Sequence, residues 1–131
     1  MASIFTRIIK REIPAHIVAE NENHIAFLDI MPLMKGHTLV VPKKEIDYIF
    51  DLDDETLASL HIFSKTVASA ILKATGCKRI GVAVLGMEVP HAHLHLVPMN
   101  RMSDVNFANP KLKLTPEEFA SIAAKIRDAF H

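Results

Sequence analysis

Val89-Pro90-His91-Ala92-His93-Leu94-His95-Leu96-Val97-Pro98 places histidine at every second position three times running, with small or aliphatic residues between. A period of two is the strand period, so residues 91–98 are predicted to form a strand with His91, His93 and His95 on one face and Ala92, Leu94 and Leu96 directed into a core. Same-face neighbours on a strand lie about 6.6 Å apart, so the three imidazoles would form a row roughly 13 Å long. A lone buried histidine is usually a satisfied core residue, and one His-x-His pair is often half of a metal site. Three on one face are harder to explain by packing, because each ring brings two nitrogens that need partners. The stretch therefore points to chemistry on a single substrate.

Working upstream, 79–85 is predicted to be the strand that pairs with this one, joined to it by a short bend over 86–90. A long helix is expected from Asp53 or Asp54 to Thr75, with Leu57, Leu60, Ser64, Val67, Ile71 and Leu72 on its apolar face and Gly76 as its C-terminal cap. Strand 37–42, ended by Pro42, precedes that helix. Before it come two antiparallel strands, 16–20 and 24–29, around the turn-forming Asn21-Glu22-Asn23. Ser3 caps a short N-terminal helix carrying Ile4, Phe5, Ile8 and Ile9, stopped by Pro14. Downstream of Pro98, residues 99–113 are polar and read as a loop or arm. Thr115-Pro116-Glu117-Glu118 then opens a helix with the stripe Phe119, Ile122, Ala123, Ile126 and Phe130, to be buried on its own domain or in a dimer. The fold class is α+β: a five-stranded, mainly antiparallel sheet, a long covering helix and a C-terminal helix. The unit 1–98 forms the core, with 99–131 part of the same domain or a dimer contact.

Composition narrows the function. The 131 residues suffice for one domain with a real core. Fifteen basic residues balance fifteen acidic ones and the pI is near 7.1, so no global field marks nucleic acid or a membrane as partner. Cys77 stands alone, which excludes an internal disulfide and a cysteine-built zinc site and fits a reducing compartment. The first residues carry charge and no long apolar run, so neither a signal peptide nor a membrane span is expected, and a cytoplasmic location is.

The run 91–97, together with Ser3-Ile4-Phe5, Ile8-Ile9, Glu12-Ile13-Pro14-Ala15, Ala26-Phe27-Leu28-Asp29-Ile30, Pro32 and 36–44, resembles the histidine triad (HIT) superfamily, and within it the Hint-like purine nucleoside phosphoramidases. The resemblance covers residues 3 to 98. It implies that His93 attacks the α-phosphorus of a nucleotide to form a nucleotidyl-histidine, which water hydrolyses without a metal or other cofactor. A nucleophilic imidazole must be neutral, and crowding among histidines favours the neutral form. His91 and His95 would orient the nucleophile and hold phosphate oxygens, His95 would assist the leaving group, and His37 would be the additional histidine of the family. Phe5, Ile8, Ile13, Phe27, Leu28 and Ile30 would wall a purine pocket, with Asp29 on the ribose hydroxyls. Without the resemblance the apolar ones read as plain core, and Asp29 reads equally as a turn residue. Lys43 and Lys44 read as a solvated surface pair, with attraction of an anionic substrate as the alternative. A homodimer is also implied.

The chain departs from the family before the triad. Many members have a longer glycine-rich loop ending in Gly-Gln-Ser/Thr/Glu-Val-x-His; here Gly86 and Val89 align, with Met87 and Glu88 between them, and Met87 replaces a hydrogen-bonding glutamine. Leaving-group assistance would then be weaker, or come from the tail or a partner. Some bacterial relatives hold a structural zinc with two N-terminal cysteines and two histidines, but Ser3, Thr6 and Glu45 stand at three of those positions, so no such zinc is expected. Three other readings stay open: a metallohydrolase using His91, His93 and His37, a nucleotide-binding or scaffold protein with little turnover, and a dinucleoside polyphosphate hydrolase.

Overall fold

The computed structural model describes residues 2–130; Met1 and His131, the outer ends of the two units read from the sequence, lie outside them. Helix α1 (Ile4–Ile9) is followed by strands β1 (Ile17–Glu20), β2 (His24–Leu28) and β3 (Thr38–Pro42), helix α2 (Asp54–Thr75), strands β4 (Arg79–Ala83) and β5 (Leu94–Met99), and helix α3 (Pro116–Ala129). The five strands form one antiparallel sheet in the order β1-β2-β3-β5-β4. The architecture is the expected α+β sheet with a long helix across it.

Alternation along the central strands divides the interior in two. Ala26, Leu28, Val40, Leu94 and Leu96 face α2 and α3 and join Leu60, Phe63, Val67 and Ile71 in the main core. Ile25, Phe27, Leu39 and Val41 face the opposite side, where α1 supplies Phe5 and Ile8. Because α1 is only six residues long, it covers part of that second face and leaves the rest open. His95 lies on the second face, paired in register with Leu39 on one side and Ala83 on the other. The expected triad residue His95 therefore stands on the sheet face that the short helix leaves open.

Helix α2 is bounded as its end residues dictate. The Asp53 side chain accepts the Thr56 amide at 2.8 Å, and Gly76, at φ +68°, returns its N–H to the Leu72 carbonyl at 2.9 Å. Its buried face includes Phe63 and Ala70 in place of the expected Leu72, which is 39% exposed. Leu72 lies one residue beyond Ile71, about 100° around the helix and off the stripe set by Leu60, Ser64, Val67 and Ile71. Helix α3 opens with the reciprocal Thr115–Glu118 capping pair and buries Ile122, Ala123 and Ile126 in the main core against α2 and β1, so its apolar stripe is satisfied within its own chain.

Three boundaries differ from the sequence reading by two residues or more, the end of the strand expected over 79–85 among them. Helix α1 ends at Ile9, well before Pro14, and the chain turns through Arg11 at φ +62°. The final strand begins at Leu94, so His91 and His93 precede the ladder. Strand β4 stops at Ala83, opposite His95, and the backbone upstream of Leu94 finds other partners: the Ala92 amide donates to the Ile46 carbonyl at 2.7 Å and the His91 amide to Val89 at 2.8 Å. Among the described residues no helix is long and apolar enough to cross a membrane.

Candidate active site

Open space on the second face forms a cleft of about 490 Å³, large enough for a nucleoside-sized ligand. Phe5, Ile8 and Ile13 from the N-terminal segment form one wall, and Phe27, Leu28, Asp29 and Ile30 from β2 and the residues after it form the floor and far side. Gly86, Met87, Glu88 and Val89 contribute the rim before the triad, where Met87 is 90% exposed. His93 and His95 line the cleft. His91 and His37 do not; both are fully buried behind it. Lys43 is turned away into an ion pair with Glu20 at 2.7 Å.

The hydrogen bonds of the histidines set their tautomers, because a backbone amide can only donate and a carbonyl can only accept. The Leu33 N–H donates to His37 Nδ1 at 3.0 Å, so in neutral His37 the proton is on Nε2. That N–H donates to His95 Nδ1, also at 3.0 Å, which leaves the proton of His95 on Nε2. His93 Nδ1–H donates to the His91 carbonyl at 2.7 Å, so the free lone pair of His93 is on Nε2. The two rings lining the cleft thus present opposite functions: His93 a lone pair and His95 an N–H. Their centroids are 5.1 Å apart, with Phe5 edge-on to His93 at 5.0 Å.

Burial reinforces this arrangement. Loss of hydration, followed by the neighbouring His95, pushes His37 down to about 3, and loss of hydration with the nearby His93 pushes His95 down to about 4. Both are neutral at pH 7, as the chain of N–H donors requires. Desolvation moves Asp29 the other way, raising its carboxyl above the usual carboxylate range against the Met31 amide, which donates to Oδ1 at 2.8 Å. With His37 neutral, the 3.6 Å approach of Asp29 Oδ2 to its Nε2 is not an ion pair.

His91 meets His93 through its backbone. Its ring donates from Nε2 to the Pro42 carbonyl at 2.7 Å and accepts the Ser3 hydroxyl on Nδ1 at 2.7 Å, while its carbonyl orients His93. The expectation that the His91 ring would hold phosphate oxygens therefore meets a ring enclosed on both nitrogens and kept neutral by desolvation.

Neither candidate metal arrangement suits its donors. Around His91, the Ser3 amide and Thr6 hydroxyl both donate to Glu45 Oε1, at 2.8 and 2.5 Å, closing a hydrogen-bonded cluster where the family resemblance would put a structural zinc. Two neutral hydroxyls do not replace two thiolates as zinc ligands. Asp29, His37 and His95 bring one potential ligand atom each within 4.8 Å of one another. His37 Nε2, however, carries a proton as long as the Leu33 amide occupies Nδ1, so it has no lone pair to offer. The alternative set of His91, His93 and His37 is not brought together.

Residues 99–113 supply a wall that the sequence reading left unassigned. Phe107, the one aromatic residue of that polar stretch, packs edge-on to His95 at 4.8 Å, and Lys111 lines the cleft beside it. An isolated aromatic in an otherwise polar arm was the available signal.

Comparison with known proteins follows the same lines. A family model described as HIT domain matches residues 10–102. An uncharacterised HIT-like protein of Methanocaldococcus jannaschii is 43% identical over 101 residues, covering 72% of this chain and 77% of its own. The adenosine 5′-monophosphoramidase of Schizosaccharomyces pombe is 33% identical over 132 residues, with 96% of each chain covered. The crystal structure of a Hit-like protein involved in cell-cycle regulation from Bartonella henselae superposes with a TM-score of 0.83 at 36% identity, covering 97% of this chain and 95% of that one. With the triad, the fold and these relatives in agreement, the chain belongs to the HIT family, in its Hint-like branch.

Proposed function

We propose that this protein is a nucleotidyl hydrolase that cleaves purine nucleoside 5′-phosphoramidates or related nucleoside 5′-phosphate derivatives through a nucleotidyl-histidine. The observation that carries the reading is the pair of opposed tautomers at the cleft, with the His93 Nε2 lone pair beside the His95 Nε2–H. In the first half-reaction the His93 Nε2–phosphorus bond forms and the phosphorus–nitrogen bond breaks, the amine leaving with its electron pair and taking a proton from solvent water. The His91 carbonyl takes up the charge on the His93 ring through Nδ1–H, and the His95 N–H donates toward the phosphoryl and leaving-group atoms. Water then attacks phosphorus, the phosphorus–Nε2 bond breaks, and the proton lost by water balances the one gained by the amine. Phe5, Ile8 and Phe27 fit an apolar base, and Asp29 fits ribose hydroxyls. The name of the S. pombe relative supports the substrate class.

Amine release from adenosine 5′-phosphoramidate by the purified protein tests this, and turnover is expected to be insensitive to a chelator. Turnover abolished by chelation would sink the metal-free mechanism. The second reading, nucleotide binding with little turnover, is favoured by Met87, whose side chain offers no hydrogen-bond donor at the exposed rim. AMP binding without amine release would move it ahead.

A homodimer in the cytoplasm belongs to the same reading. Strand β4 is an edge of the sheet, with Val82 59% exposed, an unpaired strand edge suited to a second copy. Sedimentation is expected to give twice the 14.6 kDa chain mass, and a monomer at micromolar concentration would refute it.

A further inference from the structure

The cleft has one ammonium group, on the arm over His95. Apart from the histidines, its charged lining residues are Asp29, Glu88 and Lys111. Lys111 Nζ donates to the Phe107 carbonyl at 2.7 Å and the Asn109 carbonyl at 3.2 Å, which leaves one of its three N–H bonds free. Among the described residues no carboxylate lies within 4.0 Å of it. A half-buried cation held by two neutral carbonyls, sharing the cleft with Asp29 and Glu88 but ion-paired to neither, has a free N–H to offer an anion brought by a ligand.

The arm is built to hold it there. The Leu112 amide donates to the Pro32 carbonyl at 2.8 Å, tying the arm to the loop whose Leu33 amide sets the His37 tautomer. Asp104 accepts the amides of Asn100 and Arg101 at 2.8 and 3.1 Å, and Asn109 Nδ2 donates to the Ser103 carbonyl at 2.7 Å. On β4, a Cβ at Gly81 would stand 2.9 Å from both Val105 and Met99, so only glycine lets the arm seat this closely. Position follows from packing: Phe107 sits on His95, the ring whose N–H faces the leaving group, and Lys111 Nζ lies 5.9 Å from the Phe107 centroid.

Resting on the nucleotide reading above, we infer that Lys111, carried by the Phe107 arm, forms a subsite for a negatively charged leaving group, so that the protein favours nucleotides with an anion beyond the α-phosphate. The α-phosphate belongs to His93; Lys111 serves what departs from it.

Calorimetric binding of adenosine, AMP and uncleavable α,β-methylene-ADP to the wild type, Lys111→Met and Lys113→Met separates the two phosphates. The affinity gain from AMP to the methylene analogue is expected to shrink about tenfold in Lys111→Met, with the gain from adenosine to AMP less affected. Lys113, exposed and outside the cleft lining, controls for net charge, and its variant is expected to keep both gains. Loss of the adenosine-to-AMP gain instead, no change in either gain, or an equal effect of Lys113→Met would each overturn the assignment. A wild type that binds all three without turning over a phosphoramidate refutes the hydrolase reading and leaves this test standing; one that binds none refutes both.

Discussion

His93→Ala is expected to lower amine release from adenosine 5′-phosphoramidate by at least about 10³-fold, some 4 kcal/mol of transition-state stabilisation. The reason is positional. Of the two histidines lining the cleft, His93 alone holds a ring lone pair, because its Nδ1 proton is committed to the His91 carbonyl at 2.7 Å. The neighbouring His95 presents a proton instead, its Nδ1 being occupied by His37, and cannot substitute as nucleophile. The hydrogen bonds that set the His37 and His95 tautomers do not involve His93, so the variant is expected to fold and to bind AMP within several-fold of wild type. Acid-quenched wild type should carry a nucleotidyl adduct in its intact mass, and the variant should not. Turnover within tenfold of wild type would remove the nucleophile assignment, and loss of activity accompanied by loss of AMP binding would reduce His93 to a structural residue.

His91→Ala is expected to do the reverse in emphasis, costing about 3 kcal/mol of stability and lowering the melting temperature by roughly 10 °C. The side chain is fully buried and satisfies the Pro42 carbonyl and the Ser3 hydroxyl, 49 and 88 residues away in sequence. Truncation leaves a ring-sized cavity and an unpaired carbonyl, but keeps the backbone oxygen that orients His93. Activity below the new melting temperature should therefore fall much less than in His93→Ala. The pH dependence carries a second signature. His91, His37 and His95 are all depressed by burial below the ordinary histidine value near 6.5, His37 to about 3 and His95 to about 4. The unfolded chain then binds more protons, so their contribution to stability is complete above about pH 6.5 and is lost as pH falls toward 4. Asp29, raised by burial, has the opposite sign and partly offsets this. Buried His24 is depressed in the same direction, so removing His91 removes one of four such terms, and the melting temperature of the variant should fall less steeply between pH 7 and 5. A parallel or steeper decline would show that His91 is not held neutral in the fold.

Much of the site was legible along the chain. Alternation placed Leu94 and Leu96 in the core and His95 on the other face, as found. Every apolar residue assigned to the pocket lines the cleft, though Ile30 is 70% exposed at its edge. Caps at Ser3, Asp53, Gly76 and Thr115 were readable because capping is local chemistry, with each donor and acceptor within four residues. The start of β5 was not readable, because alternation reports which face a side chain occupies and not whether the backbone has a strand beside it.

By itself, then, the sequence determined what depends on period and near neighbours: the strands and helices, their buried faces, the capping, and the histidines as a group. Only the tertiary structure decided which histidine nitrogen carries a proton, since that rests on the Leu33 amide and on His37 meeting His95 across 58 residues. It also decided that His91 looks inward to Ser3 and Pro42, and that a polar arm returns to set Phe107 and Lys111 beside His95. These are contacts between segments distant in the chain, and no local propensity or spacing encodes their geometry.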